Sequence, residues 1–380
     1  MGDKERVGLV LSGGGARAAY QVGVLTAINR LWPKRAPNPF PVITGSSAGA
    51  INGAALAASA RQFREGVRTL AYLWSNFTVG QVFRADMPGV VWNGMRWGLA
   101  MLMGGLGKHN PHALLDRRPL RRLLSEYLDC DDIQRSIEAG ALHALGVTLS
   151  SYTSGHSITF YQGIKGLEDW DRARRLGRPG VINIDHLMAS SAIPFVFEAV
   201  QLHGEYFGDG TMREIAPVSP ALHLGADRLF VVGTHNTAGG PAAQPIANGY
   251  PSIAEIAGHV LNSIFLDSLE VDLERLRRIN NTLTLIPDHH LEEGGVSLRP
   301  VKVLSIFPSE NLDHIAHRHA RELPRSMRFL LRGMGAYGHK GSSLMSYLLF
   351  EKPFCKELIK LGYSDTMRRH GEVIDFLQGN

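Results

Sequence analysis

Residues 7–31 read VGLVLSGGGARAAYQVGVLTAINRL and residues 42–60 read VITGSSAGAINGAALAASA. Each stretch begins with a short apolar run, breaks on glycine or serine, and continues with the spacing of a helix. Val7–Leu11 predicts a buried strand, residues 12–15 a glycine turn, and the pattern through Tyr20, Val24 and Leu25 a helix to about Leu31. A connection carrying Pro33, Pro37, Pro39 and Pro41 leads to a second strand at Val42 and Ile43. The sharp turn Gly45-Ser46-Ser47-Ala48-Gly49 follows, and then an alanine-rich helix to about Ala60. Two strand, turn and helix units in succession predict an α/β fold.

The rest of the chain extends this pattern. Helices are predicted over 61–75 and 117–128, and two strands over 146–151 and 157–161 joined by Thr153-Ser154-Gly155-His156. Residues 229–233 (LFVVG) predict another buried strand, and 282–286 and 302–307 two more. An amphipathic helix is expected from about 253 to 279. The Gly/Pro-rich stretch 237–251 reads as a surface loop, and the chain after 314 as mainly helical. The expected organisation is an α/β core over 5–235, its continuation over 236–313, and a helical C-terminal extension over 314–380. No period of 20 to 50 residues recurs, which excludes solenoids and propellers.

Composition narrows the function. In 380 residues, 44% are apolar and 20% charged, an ordinary globular balance with enough chain for one large or two small cores. The net charge of +5 is scattered, without the basic and aromatic clusters of a nucleic-acid binder, so contact with an anionic membrane surface is the better expectation. Cys130 and Cys355 stand far apart, which suggests neither a disulfide framework nor a zinc knuckle and fits a reducing, cytoplasmic setting. Residues 87–107 (MPGVVWNGMRWGLAMLMGGLG) are long enough to cross a bilayer, but Arg96 and the Gly/Pro content suit an interfacial or lid segment. A hydrophobic helix packed over the sheet is the competing reading of that segment.

Gly45-Ser46-Ser47-Ala48-Gly49 has the form of a nucleophile elbow, in which a tight strand-to-helix turn lifts Ser47 above the sheet and leaves room only for small flanking residues. The same pentapeptide also suits a serine-capped helix, with Ser46 as the competing position. Gly13, Gly14 and Gly15 present unobstructed backbone N–H groups at a helix start, suited to an oxyanion or a phosphate. The spacing is not that of G-x-G-x-x-G, and no G-x-x-x-x-G-K-[ST] is present, which leaves the oxyanion reading ahead. His223 and His235 keep an ordinary serine, histidine and aspartate triad open. His289 and His290 beside Asp288 and Glu292, and His314, His317 and His319, read as loop or exposed-helix histidines, so no metal and no cofactor is expected.

Ser12-Gly13-Gly14-Gly15-Ala16-Arg17, followed about thirty residues later by Gly45-Ser46-Ser47-Ala48-Gly49, resembles the patatin-like phospholipase pattern. A third block agrees: Ala189-Ser190-Ser191-Ala192-Ile193-Pro194-Phe195 and Phe207-Gly208-Asp209-Gly210 are similar to the segment that carries that family's catalytic aspartate. The resemblance covers roughly residues 5–235. It implies a three-layer α/β/α modified α/β-hydrolase fold, a Ser47 and Asp209 dyad without a catalytic histidine, and Gly13, Gly14 and Gly15 as oxyanion donors. Gly45, Gly49 and Gly210 are the supporting glycines, and Arg17 either steadies the glycine loop or faces a lipid phosphate. Ala18 and Thr211 depart from the family, which more often has glycine at the first and glycine or alanine at the second. The implied substrate is a phospholipid or lysophospholipid ester at a membrane surface. The alternatives are a ligand-binding module on a degenerate hydrolase fold, or a soluble esterase, acyltransferase or peptidase.

A carboxylate with a reference pKa near 3.9 is a weak base for a serine hydroxyl. Such a dyad requires Asp209 to be desolvated and within reach of Ser47. Each oxyanion donor then supplies about 2.7–4 kcal/mol of transition-state stabilisation.

Overall fold

The computed structural model describes residues 5–84, 113–236, 252–263, 268–286, 298–336 and 342–379. The segments 87–107 and 237–251 and the His289, His290 group lie outside the described residues. In chain order the strands are β1 (Val7–Leu11), β2 (Val42–Ser46), β3 (Ala144–Ser151), β4 (Ser157–Gly163), β5 (Trp170–Arg172), β6 (Arg175–Pro179), β7 (Val200–Leu202), β8 (Glu205–Gly208), β9 (Arg228–Val232) and β10 (Lys302–Ile306). They form one sheet in the order β10-β9-β1-β2-β3-β4-β6-β5, with β8 and then β7 attached at the end of β3. The run from β10 to β3 is parallel; β4 turns back antiparallel to β3.

Alternate residues of a strand point to opposite faces, and the two faces of this sheet are both covered. Leu9, Leu11, Phe230 and Val232 join one core with the helices α1 (Ala19–Leu31), α2 (Ala48–Ala58) and α3 (Phe63–Ser75). Val10, Leu229 and Val231 join a second with Ala221, Leu224 and the apolar side of the helix Ser268–Leu283. Burial on both faces is why the parallel strands read as unbroken apolar runs. The result is the expected three-layer α/β/α arrangement.

The described residues after 311 are mainly helical, and the helix Lys352–Arg368 packs directly on α1. A Cβ at Gly23 would lie 2.1 Å from the Ile359 carbonyl oxygen, and one at Gly362 would lie 2.2 Å from that of Tyr20, so backbone touches backbone where α1 crosses the helix Lys352–Arg368. Tyr20 Oη also donates to Asp365 Oδ2 at 2.9 Å.

One expectation fails. Residues 282–286 are not a strand: the helix Ser268–Leu283 continues into them and ends in a turn, with Thr284 N–H donating to the Asn280 carbonyl. Leu269, Leu273, Leu276 and Leu283 share one helical face and are buried, whereas Leu285 is 83% exposed. The local alternation that suggested a strand is the end of this stripe. Asn280 then receives the returning chain, donating to the Val301 carbonyl and accepting from its N–H, and sets β10 in place. The short strands β5 to β8 had no clear sequence signal because they are partly exposed edge pieces.

Candidate active site

Register brings three distant segments to one edge. Leu11 pairs with Gly45 in the parallel β1 and β2, so the glycine loop and the serine turn leave the sheet side by side. Ser150 near the end of β3 pairs with Gly208 in antiparallel β8, so Asp209 emerges at the same carboxyl edge. Crevices outside the carboxyl ends of parallel strands are where such sheets bind ligands.

Ser47 stands between β2 and α2 with φ 52° and ψ −129°, a backbone conformation that costs a residue with a Cβ about 1–3 kcal/mol. The turn is so tight that a Cβ on Gly49 would lie 2.3 Å from the Leu11 carbonyl oxygen, and Gly45 is pressed against Gly49 itself. The small flanks are therefore a packing requirement. Ser47 N–H donates to Ser190 Oγ at 2.9 Å, and that hydroxyl donates to the Thr148 carbonyl at 2.7 Å, which ties the elbow to the Ser190 block. Ser46 is the last residue of β2 and lies beneath the turn, where its hydroxyl meets the Glu214 carboxyl.

The glycine loop is held by its carbonyls. Gly13 O accepts from Thr234 Oγ1 at 2.7 Å and Ser12 O from Gln21 Nε2 at 2.7 Å. Asn52 of α2 donates to Gln21 Oε1 at 3.0 Å and accepts from Trp74 Nε1 at 2.8 Å, so one buried polar chain fixes the loop against the elbow helix. Gly15 adopts φ +53° and lines the same cavity as Ser47. Among the described residues no acceptor takes the N–H groups of Gly13, Gly14 or Gly15, and buried backbone donors ordinarily find one. Arg17 is directed away from this cavity: it donates to Ser346 Oγ (2.8 Å) and Asp313 Oδ1 (2.6 Å) and lies over the Tyr347 ring, anchoring the loop to the C-terminal helices.

Asp209 is fully buried. Its Oδ1 accepts from Thr211 Oγ1 (2.6 Å) and Thr211 N–H (3.1 Å), so the threonine that departs from the family pattern orients the carboxyl. Its Oδ2 is buried without a hydrogen-bond partner. Burial pushes the Asp209 pKa up to about 6, opposed by the Thr211 and Ser47 hydroxyls and the Arg117 cation. Gly210 runs against the Thr148 carbonyl, and Asp209 N–H donates to Ala192 O at 3.0 Å, so the blocks around 190 and 209 form one unit.

Two participants carried no sequence signal. Arg117 stands at the start of the helix expected over 117–128, and its buried guanidinium donates to the carbonyls of Met188 (2.5 Å) and Glu198 (2.6 Å) and to Ser191 Oγ (3.3 Å). It pins the segment from which Asp209 hangs; burial lowers its pKa to about 10, so it stays charged at neutral pH. Glu214 is a second buried acid, raised by desolvation to about 7, beside Ser46 and Thr148. Replacement Arg117→Met leaves three acceptors without their donor and is expected to cost about 2–4 kcal/mol by thermal or urea unfolding. An unchanged midpoint would show that the clamp is idle.

His223 stacks on Trp170 (4.7 Å between centroids) and His235 bonds to Glu270 (2.8 Å); among the described residues neither lines the Ser47 cavity. His319 is bonded to Glu357, and among the described residues no cluster of metal-ligating side chains occurs. Among the described residues no helix is long and apolar enough to cross a membrane.

From Ser47 an apolar cavity of about 150 Å³ runs between α2, α3 and the helix Arg118–Tyr127, past Ile51, Ala55, Leu70, Leu73 and Leu124. A serine in a strained strand-to-helix turn at the carboxyl edge of a mostly parallel sheet, beside a glycine loop, is an arrangement found in serine hydrolases. Within that class the assignment is definite: the family model for patatin-like phospholipases matches residues 9–222, more than half of the chain, and the chain belongs to that family. It is thereby a lipid acyl hydrolase in general terms. Among solved structures, the crystal structure of VipD from Legionella pneumophila is similar at 13% identity and a TM-score of 0.35, covering 97% of this chain and 67% of that one. No curated protein sequence matches.

Proposed function

We propose that the chain cleaves carboxylic esters of phospholipids or lysophospholipids at a membrane surface, through an acyl-Ser47 intermediate with Asp209 as the base. The observation that carries this reading is the fully buried Asp209 carboxyl within hydrogen-bonding influence of the Ser47 hydroxyl. Burial disfavours its charged form, so a proton arriving from Ser47 is welcome there. Ser47 Oγ attacks the ester carbonyl as its proton passes to Asp209, and the carbonyl electron pair moves to the oxygen. The N–H groups of Gly13, Gly14 and Gly15, with that of Ala48 at the start of α2, are the donors for this oxyanion. As the carbonyl re-forms, the C–O bond to the alcohol breaks and the alcohol leaves with the proton from Asp209. Water then repeats the sequence on the acyl-enzyme, with its proton going to Asp209.

Dispersed phospholipid and lysophospholipid vesicles with mass spectrometry of the products provide the test, beside labelling by a fluorophosphonate probe. The expected result is free fatty acid together with a probe adduct on Ser47. Labelling without vesicle cleavage would favour a soluble esterase or acyltransferase. No adduct under any condition would sink the enzymatic reading.

A further inference from the structure

The sheet edge that carries Ser47 and Asp209 continues sideways into an arginine-tipped hairpin. Register sets it there: Gly208 pairs with Ser150, Ser150 with Ser157 and Ser157 with Arg175, so one row crosses β8, β3, β4 and β6. At about 4.8 Å per strand, Arg175 stands roughly 14 Å along the edge from the residue before Asp209. Arg172 pairs with Arg175 across β5 and β6, which leaves Ala173 and Arg174 as the hairpin tip beyond the last row. The turn between β3 and β4 fills the interval. Its Tyr152 N–H donates to the Tyr206 carbonyl at 2.8 Å, and Ser157 N–H after it donates to the Arg174 carbonyl at 2.9 Å. Arg213, from the turn after Asp209, lies over it too: its guanidinium is 4.0 Å from where a Cβ on Gly155 would stand.

The chemistry of this edge is one-sided. Residues 170–180 hold four arginines against one aspartate. Arg172, Arg174 and Arg213 are exposed, and among the described residues none of them is in an ion pair. Glu205 of β8 accepts from Ser151 Oγ and is thereby occupied. Tyr152 and Tyr206 are about half exposed, and Phe195 is 78% exposed between Ile193 and Phe197, which line the Ser47 cavity. Two of these residues are held against their backbone preference. Arg174 has φ 61° and Phe195 φ 64°, the left-handed region where glycine or asparagine fits most easily. With both side chains in solvent, burial offsets little of that strain.

We propose that this edge docks on an anionic lipid bilayer, with Arg172, Arg174 and Arg213 at the lipid phosphates and Tyr152, Tyr206 and Phe195 in the headgroup layer. The inference rests on the lipid-ester reading above and deepens it by naming the face that meets the membrane and the charge the membrane must carry. Guanidinium forks match phosphate oxygens, and aromatic rings settle at headgroup depth. Docking by this edge sets Ser47 and Asp209 against the layer that holds the ester bonds. Each arginine near an anionic bilayer tightens binding about fivefold, and the gain fades as salt rises.

The experiment is flotation of Ser47→Ala protein, which leaves the lipid intact, with vesicles of phosphatidylcholine alone and of equal parts phosphatidylcholine and phosphatidylglycerol, at low and high salt. Binding to the anionic vesicles is expected to be about a hundredfold tighter than to the neutral ones at low salt, from three arginines at about fivefold each. Arg172→Ala with Arg174→Asn is expected to weaken anionic binding about 25-fold and to leave neutral binding unchanged. Asparagine tolerates the left-handed turn, and melting temperature reports the fold. Phe195→Asn keeps its backbone for the same reason and is expected to weaken binding to both vesicles about tenfold. Arg325→Ala with Arg328→Ala removes the same charge from the helix Arg325–Gly333 and is expected to change binding by no more than about twofold. Equal binding to the two vesicles, binding indifferent to salt, or an equal loss in the two arginine pairs overturns the docking edge. Turnover of p-nitrophenyl butyrate by wild type separates this inference from the reading beneath it. Turnover without any preference for anionic vesicles leaves the hydrolase standing and removes the docking edge. Anionic docking through these residues without turnover keeps the edge and removes the hydrolase.

Discussion

Ser47→Ala abolishes ester hydrolysis, with an expected loss on the order of 10⁶-fold in kcat, because a nucleophile has no partial substitute and the loss of a hydrolase serine alone reaches that size. The fold should survive, since the Ser47 backbone N–H and not its hydroxyl holds Ser190. Ser47→Gly separates catalysis from stability more sharply. At φ 52° the Cβ is what strains the turn, so glycine removes a cost of about 1–3 kcal/mol and returns part of it as chain entropy. A net gain of about 1 kcal/mol is expected, seen as a melting temperature raised by about 1–2 °C in an inactive protein. A Ser47→Gly protein that melts lower than wild type would show that the elbow is not strained.

Asp209→Asn should lower kcat by about 10⁴-fold, the scale seen when an orienting or basic carboxylate becomes an amide. Its pH dependence carries the stronger test. With a folded pKa of about 6, the base is ionised above that pH, so kcat/KM is expected to rise tenfold per unit below pH 6 and to flatten above it. Stability runs the other way. A carboxyl whose folded pKa is raised binds its proton more tightly in the folded state, so it favours folding below the unfolded value of 3.8. That contribution is lost as pH rises through 6. The shift corresponds to about 3 kcal/mol against the fold at neutral pH. Asp209→Asn is therefore expected to be dead yet more stable than wild type at pH 8, with the difference shrinking toward pH 4. Equal pH dependence in the two proteins would mean that Asp209 is not the buried ionised group. Arg117 and Glu214 face the same region and belong in the control set, because the first lowers the Asp209 pKa and the second, raised to about 7, titrates just above it.

Much of the site was legible because its chemistry is local. The elbow needs small residues on either side of Ser47, and the glycine loop needs bare amides at a helix start; both demands are met within a few residues of chain. Arg117 and Thr211 were not legible. A buried arginine acquires its role only from the carbonyls folded around it, and Thr211 looked like a departure until its hydroxyl was found on Asp209 Oδ1. The false strand at 282–286 failed for the same reason, since four residues of alternation cannot be told from the end of a helical stripe without the partner that buries it.

What the sequence by itself determined was the α/β class, the two strand, turn and helix units, and the sharp turn that holds Ser47, because backbone sterics and hydrophobic period act between near neighbours. What only the tertiary structure decided was the meeting of residues 13–15, 47 and 209 at one sheet edge, the burial that lifts Asp209 to about 6, and the apolar cavity that opens beside Ser47. Strand register and desolvation arise between segments tens to hundreds of residues apart, and neither has a local signature.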